Sequence, residues 1–131
     1  MVKKAIHTDA APPPAANYSQ AVRKGNILQV AGQVGIDPAT NQVAGDTVAA
    51  QARQTFANLN AILAEAGSSL NDVLMVRVYL TDSSHFAEFN EVYNEMFNES
   101  ATEPHAARTT VFVGLAPGLL VEIDALAVLD D

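Results

Sequence analysis

The sequence predicts an α+β fold in which two amphipathic helices cover one face of a mixed β-sheet, and three observations carry that expectation. Apolar residues recur at helical spacing in only two stretches, β-branched runs lie before, between and after them, and Gly, Pro and Asn cluster at the junctions. The 131 residues are enough for one core and too few for two, so a single domain over residues 1–131 is expected.

Val2 to His7 alternates weakly, as a short edge strand does. The run Ala10-Ala11-Pro12-Pro13-Pro14-Ala15-Ala16 must then be extended, because each proline restricts the residue before it. From Tyr18 to Val34 two strands are expected around a turn at Lys24-Gly25-Asn26, the second being Ile27 to Val34. Gly32 lies inside that second strand. A glycine there marks a bulge or the close approach of another group to the backbone. Polar turn residues fill Gly35 to Gly45, and Asp46 is the expected N-cap of the first helix. Val48, Ala52, Thr55, Phe56, Leu59, Ile62, Leu63 and Ala66 share one helical face, and Gly67 is placed to end the helix.

Val73 to Leu80 reads as a strand, with Leu74, Val76, Val78 and Leu80 toward the helices and Val73, Met75, Arg77 and Tyr79 away from them. A second helix is expected from Ser84 to Phe97, its stripe made of Phe86, Phe89, Tyr93, Met96 and Phe97. Two further strands, Ala107 to Gly114 and Leu120 to Val128, flank a turn at Ala116-Pro117-Gly118. The sheet face away from the helices is expected to be too apolar for water and to meet another subunit.

Composition removes several function classes. Seven Lys and Arg against 15 Asp and Glu give a net charge of −8, which repels nucleic-acid phosphates and anionic lipid, so neither nucleic acid nor membrane is an expected partner. There is no cysteine, hence no disulfide, thiolate nucleophile or Cys-built metal site. The basic start Met1-Val2-Lys3-Lys4 leads into no apolar run of signal-peptide length, and a cytoplasmic location is the expectation. His7, His85 and His105 are scattered, with no pair at i, i+4 spacing. No metal and no cofactor are therefore expected.

The chemistry that remains is that of Arg, carboxylates and hydroxyls. Arg108 opens one strand and Glu122 sits in the next, each among apolar and hydroxyl residues, and a charge inside a strand needs a partner or a ligand. Two readings stand: a cross-strand or intersubunit ion pair, and an anion clamp in which the planar guanidinium meets a carboxylate on two prongs. Asn90 falls within the apolar stripe of the second helix, where its amide must find partners in the core or at an interface. Tyr18, after the proline run, is a core or interface aromatic with its hydroxyl satisfied, or a group lining a site.

Tyr18-Ser19-Gln20-Ala21-Val22, Ala31-Gly32-Gln33, Phe89-Asn90-Glu91-Val92-Tyr93, and Ala107-Arg108-Thr109-Thr110-Val111 followed by Val121-Glu122-Ile123-Asp124-Ala125 stand in an order and spacing that resembles the reactive intermediate deaminase family, also called the RidA, YjgF or endoribonuclease L-PSP family. The resemblance runs along nearly the whole chain. It implies a chorismate-mutase-like α+β fold assembled as a trimeric barrel, with sites in the clefts between subunits of a homotrimer. It also implies an activity: hydrolysis of reactive 2-imino and enamine acids to 2-keto acids and ammonia, which protects pyridoxal-phosphate enzymes. By position, Arg108 corresponds to the arginine holding the substrate carboxylate and Glu122 to the acid that orients water. Tyr18 corresponds to the cleft aromatic and Asn90 to a helix asparagine shaping the site, while Gly32 and Thr110 occupy positions whose backbone meets the ligand. The residue chemistry agrees, since an imine carbon is already electrophilic and needs orientation and a placed water more than a strong nucleophile.

The departures from the family pattern, Ala16-Asn17 for Gly-Pro, Ala31 for Ser, Ala106 for Pro and a shorter turn at Pro117-Gly118, fall around the cleft and bear on substrate choice. A sister enzyme acting on another imine, enamine or amide, and a non-catalytic small-ligand binder, are the alternatives. The presence of both Arg108 and Glu122 favours catalysis over a purely structural role.

Overall fold

In the computed structural model, which describes residues 1–130, a six-stranded mixed sheet is covered on one face by two helices. Strands β1 (Lys4–Ile6), β2 (Ala21–Lys24) and β3 (Ile27–Val34) precede a short hairpin of β4 (Ile36–Asp37) and β5 (Gln42–Val43). Helix α1 (Val48–Glu65) leads to β6 (Val73–Leu80), and helix α2 (Phe86–Ser100) to β7 (Ala107–Phe112) and β8 (Val121–Val128). The spatial order is β1-β2-β3-β8-β6-β7, all neighbours antiparallel except β6 and β7. Only that parallel pair needs a crossover, and α2 supplies it.

Helix α1 buries Val48, Ala52, Thr55, Phe56, Leu59, Ile62 and Leu63, as its periodicity predicts. Its N-cap is Thr47 and not the expected Asp46. Thr47 is the residue in extended conformation directly before the first helical turn, and its Oγ1 accepts the Ala50 N–H at 3.1 Å, a bond that Asp46 begins one residue too early to make. At the other end Gly67, at φ +75°, lets the Gly67 and Ser68 N–H groups return to the carbonyls of Ala64 and Leu63. Helix α2 starts later and ends later than its stripe suggests. Asp82 caps a 3-10 turn over Ser83–His85, the α-helix begins at Phe86, and it runs on to Ser100. Phe89, Val92, Tyr93 and Phe97 of α2 are buried, and Phe56 of α1 meets Tyr93 and Phe97 edge-on at centroid distances of 5.9 and 6.1 Å. Phe86 was expected in this stripe but is 41% exposed.

Strand β6 corrects the predicted alternation at its start. The register against β8 shifts between Val73 and Met75, so Val73 is buried and Leu74 is 56% exposed, and the expected alternation holds only from Val76 onward. Strands β1, β2 and β7 are shorter than expected, and Tyr18 precedes β2 without belonging to it. The β4–β5 hairpin was not foreseen, because its two-residue strands have no alternation to read. Buried Asn58 of α1 holds its base, donating to the Val34 and Ile36 carbonyls, both at 2.9 Å.

The sheet face away from the helices is also less apolar than expected. Its centre is polar: Asp124 of β8 accepts hydrogen bonds from Arg77 Nε at 2.6 Å and from the Tyr79 hydroxyl at 2.8 Å, both reaching across from β6. Its exposed apolar residues include Ile27, Leu74, Val111 and Val128.

Candidate functional site

Arg108 enters the site from β7, opposite Val76 of β6, and therefore on the sheet face that carries the helices. Its guanidinium rests on an aromatic shelf provided by α2, 4.5 Å from the Tyr93 ring centre, 5.4 Å from that of Phe89 and 5.6 Å from that of Phe86. The spacing 86, 89, 93 puts all three rings on one side of the helix. Nε donates to Thr110 Oγ1 at 2.8 Å, which fixes the plane of the group. None of the ion pairs among the described residues involves Arg108. Burial lowers its proton affinity and Tyr93 opposes that, but a guanidinium stays charged throughout the physiological range. The result is a half-buried cation whose two outer nitrogens have no anionic partner among the described residues. Asn90 follows Phe89 on the same helix, and its Oδ1 is buried without a hydrogen-bond partner. Such an atom is satisfied by a ligand, a water or another chain.

Glu122 lies on the other face. It is opposite Tyr79 of β6, whereas Val76, opposite Arg108, and Val78, opposite Thr110, point toward the helices. β6 also stands between β7 and β8, so the cross-strand ion pair considered for Arg108 and Glu122 does not form within one chain. Burial first, and the negative charge of Asp124 second, raise the Glu122 carboxyl above the ordinary range for a glutamate. On β3 the register against β8 shifts between Val30 and Gln33, which makes Gly32 part of a bulge. A Cβ at Gly32 would overlap Glu122 Oε2 and stand 2.9 Å from Cδ, so glycine is what allows the carboxylate to lie against this strand.

Tyr18 is 53% exposed, and its hydroxyl accepts the Ala15 N–H at 3.2 Å. Together with Gly32, Val34 and Pro12 to Pro14 it encloses a cavity of about 160 Å³. The proline loop is held there by Gln20, a residue the sequence reading passed over. Buried Gln20 donates to the carbonyls of Thr8, Ala11 and Pro12 and accepts the Thr8 N–H, so one amide fixes the loop through four bonds. Gln51 of α1 does the same for the turn before β8, donating to the Gly118 carbonyl and accepting the Leu120 N–H. Both are glutamines whose neighbours give no sign of burial. Among the described residues no group of three or more His, Asp or Glu is placed to hold a metal ion.

The six expected site residues thus form two groups in one chain. Arg108, Thr110 and Asn90 lie at the β7 and α2 side, and Glu122, Gly32 and Tyr18 lie around the β3 bulge.

Comparison with known proteins matches residues 8–129 to the family described as Endoribonuclease L-PSP. A RutC family protein of Pyrococcus abyssi is 45% identical over 128 residues, covering 97% of this chain and 98% of that protein. The crystal structure of RidA from the Antarctic bacterium Psychrobacter sp. PAMC 21119 superposes with a TM-score of 0.87 at 43% identity, covering 96% of this chain and 99% of the other. E. coli TdcF with bound serine superposes at 0.91 with 36% identity, over 97% and 99% of the two chains. No helix among the described residues is long and apolar enough to cross a membrane.

Proposed function

This chain belongs to the endoribonuclease L-PSP family, and from that membership and the geometry of Arg108 we propose that it hydrolyses reactive 2-imino acids to 2-keto acids and ammonia, protecting pyridoxal-phosphate enzymes from those intermediates. The observation that carries the reading is the unpaired guanidinium of Arg108, stacked on three aromatic rings and oriented by Thr110. A structural arginine in a strand would have a carboxylate beside it. This one keeps its bidentate edge open, which suits the carboxylate of a small acid. The serine bound to E. coli TdcF is a ligand that carries such a carboxylate.

Because Arg108 and Glu122 face opposite sides of the sheet, a site using both takes one from each of two copies. The arginine side of one copy then meets the glutamate side of the next. Such a head-to-tail contact closes into a ring, here the homotrimer, with one site at each junction.

Within that site Arg108 fixes the carboxylate and with it the imine carbon. Water adds to that carbon, the C=N π pair passes to nitrogen, and the nitrogen takes up a proton. Collapse of the carbinolamine breaks the C–N bond, forms the carbonyl and releases ammonia. Glu122, with its raised proton affinity, takes a proton from the attacking water and passes it to the imine nitrogen, then takes the carbinolamine hydroxyl proton and passes it to the departing amine. Water is the sole co-reactant, and no step calls on a metal or a cofactor.

The test is to generate 2-iminobutanoate in situ and follow its disappearance against the spontaneous rate, with wild type and with Arg108→Ala. Wild type should accelerate the reaction, and the variant should lose about 30-fold or more, the equivalent of roughly 2–5 kcal/mol for a buried charge left unpaired. Arg108→Lys should recover little, since a point charge lacks the second prong. Melting temperature should change little, because Arg108 holds no ion pair among the described residues. A stable Arg108→Ala protein with the wild-type rate overturns the clamp. Binding of keto acids by wild type without turnover would favour the ligand-binding alternative, and turnover of a different imine, enamine or amide the sister-enzyme one.

A further inference from the structure

The Arg77, Tyr79 and Asp124 cluster is a hydrogen-bonded group that has no part in the mechanism above. Asp124 is 9% exposed, and its two carboxylate oxygens are each engaged, one by Arg77 Nε at 2.6 Å and the other by the Tyr79 hydroxyl at 2.8 Å. Charge-assisted bonds of this length hold the carboxylate in place. Asp124 is two residues from Glu122 on β8, so both side chains leave the same face of the sheet, and Tyr79 stands directly across from Glu122. Arg77 stands directly across from Asp124, and it is Tyr79 that reaches Asp124 from the diagonal position.

We propose that Asp124 is a positioning residue for Glu122: held in place by Arg77 and Tyr79 on the same sheet face, it sets a fixed negative charge beside the carboxyl that takes up and returns the proton. The inference rests on the function proposed above and adds to it the device by which the acid is tuned. The groups facing Glu122 are few. On β8 there is Asp124, and on β6 Tyr79 and Arg77. On β3 there are Gly32 and Val34, and on β7, beyond β6, Thr109 and Val111, all uncharged. Tyr18 stands beyond Gly32, and the Arg108 of the next copy faces Glu122 across the junction proposed above, so among the described residues of one chain Asp124 is the one anion on this face close to Glu122, and Arg77 the cation whose charge is spent on Asp124. The raised proton affinity of Glu122, owed to burial and then to Asp124, accords with this arrangement. A proton acceptor and donor works best with an affinity near the operating pH, which an ordinary exposed glutamate lacks.

The experiment pairs Asp124→Asn with Arg77→Gln and reads two quantities on the full chain. One is the pH profile of kcat/KM for 2-iminobutanoate generated in situ. The other is the titration midpoint of Glu122 by carboxyl ¹³C NMR without substrate. Removing the anion should move the Glu122 midpoint and the corresponding limb of the profile to lower pH. Removing the cation, which leaves Asp124 less neutralised, should move both to higher pH. Displacements of opposite sign separate tuning from a structural role, which would lower melting temperature in both variants and leave the midpoint in place. Midpoints that stay at the wild-type value, or move the same way in both variants, overturn the proposal. Should Asp124→Asn not fold, Arg77→Gln, altered at a half-exposed side chain, decides alone. If wild type does not hydrolyse imines, the proposed reaction fails while the NMR midpoints still decide whether Asp124 tunes Glu122.

Discussion

At the scale of single residues, the environment of Glu122 sets stability against the role proposed for it. Its carboxyl is half-buried, has Asp124 for a neighbour, and forms none of the ion pairs among the described residues. Its proton affinity is therefore higher in the folded than in the unfolded chain. For such a group the contribution to stability is fully present below the unfolded pKa and is lost as pH rises through the folded one. Glu122→Gln keeps the shape and removes the charge. The variant should melt at a higher temperature than wild type at pH 8, lose that advantage as the pH falls to 4, and hydrolyse imines no faster than the spontaneous rate. A lower melting temperature at pH 8 would mean that the ionised carboxylate is stabilised by contacts the chain alone does not show. Arg108 offers no comparable gain, since its shelf of Tyr93, Phe89 and Phe86 favours the cation by stacking.

At the scale of elements, the β3 bulge is where the site depends on backbone. Gly32→Ala should leave the fold in place, because the added methyl meets only the end of a flexible side chain, but that side chain is Glu122. The carboxylate must then move off β3, and kcat/KM on 2-iminobutanoate should fall at least tenfold with circular dichroism unchanged, a loss of about 1.4 kcal/mol or more. Activity equal to wild type would show that the place of Glu122 against Gly32 is not the working one. Gly32 was legible in the sequence because a glycine within an apolar strand has few other uses. Both helices, β3, β6 and β8 were legible for a similar reason, since each buries one regular face. The Leu74 error came from a register shift, which depends on the neighbouring strand and leaves no periodicity to read. Gln20 and Gln51 were missed because a buried amide that holds a loop looks in the sequence like any surface glutamine. The separation of Arg108 from Glu122 was hidden as well. Successive strands are usually neighbours, and only the topology places β6 between β7 and β8.

At the scale of the whole molecule, that separation becomes a statement about assembly. β7 is a sheet edge, and around it Phe86, Val111, Phe112 and Val113 are exposed, with the Phe86 and Phe112 rings 6.4 Å apart. An apolar open edge next to an unpaired cation calls for a covering chain. If one copy brings Arg108 to the Glu122 face of the next, each site in a ring of three draws on two subunits. Arg108→Ala and Glu122→Gln should then each be inactive alone and partly active when mixed. A ring holding both variants contains one junction where an intact Arg108 meets an intact Glu122, whichever variant is in the majority. Random exchange at equal amounts gives about three mixed rings in four, each with one good site in three, or about a quarter of wild-type activity. The measurement is imine hydrolysis after the two variants are unfolded and refolded together, with light scattering to check that wild type, variants and mixture are trimers. Recovery to near a quarter would place the two residues in one shared site. No recovery from a mixture that is trimeric by light scattering would show that Arg108 and Glu122 do not act at the same junction, and the two-copy mechanism would fall with it.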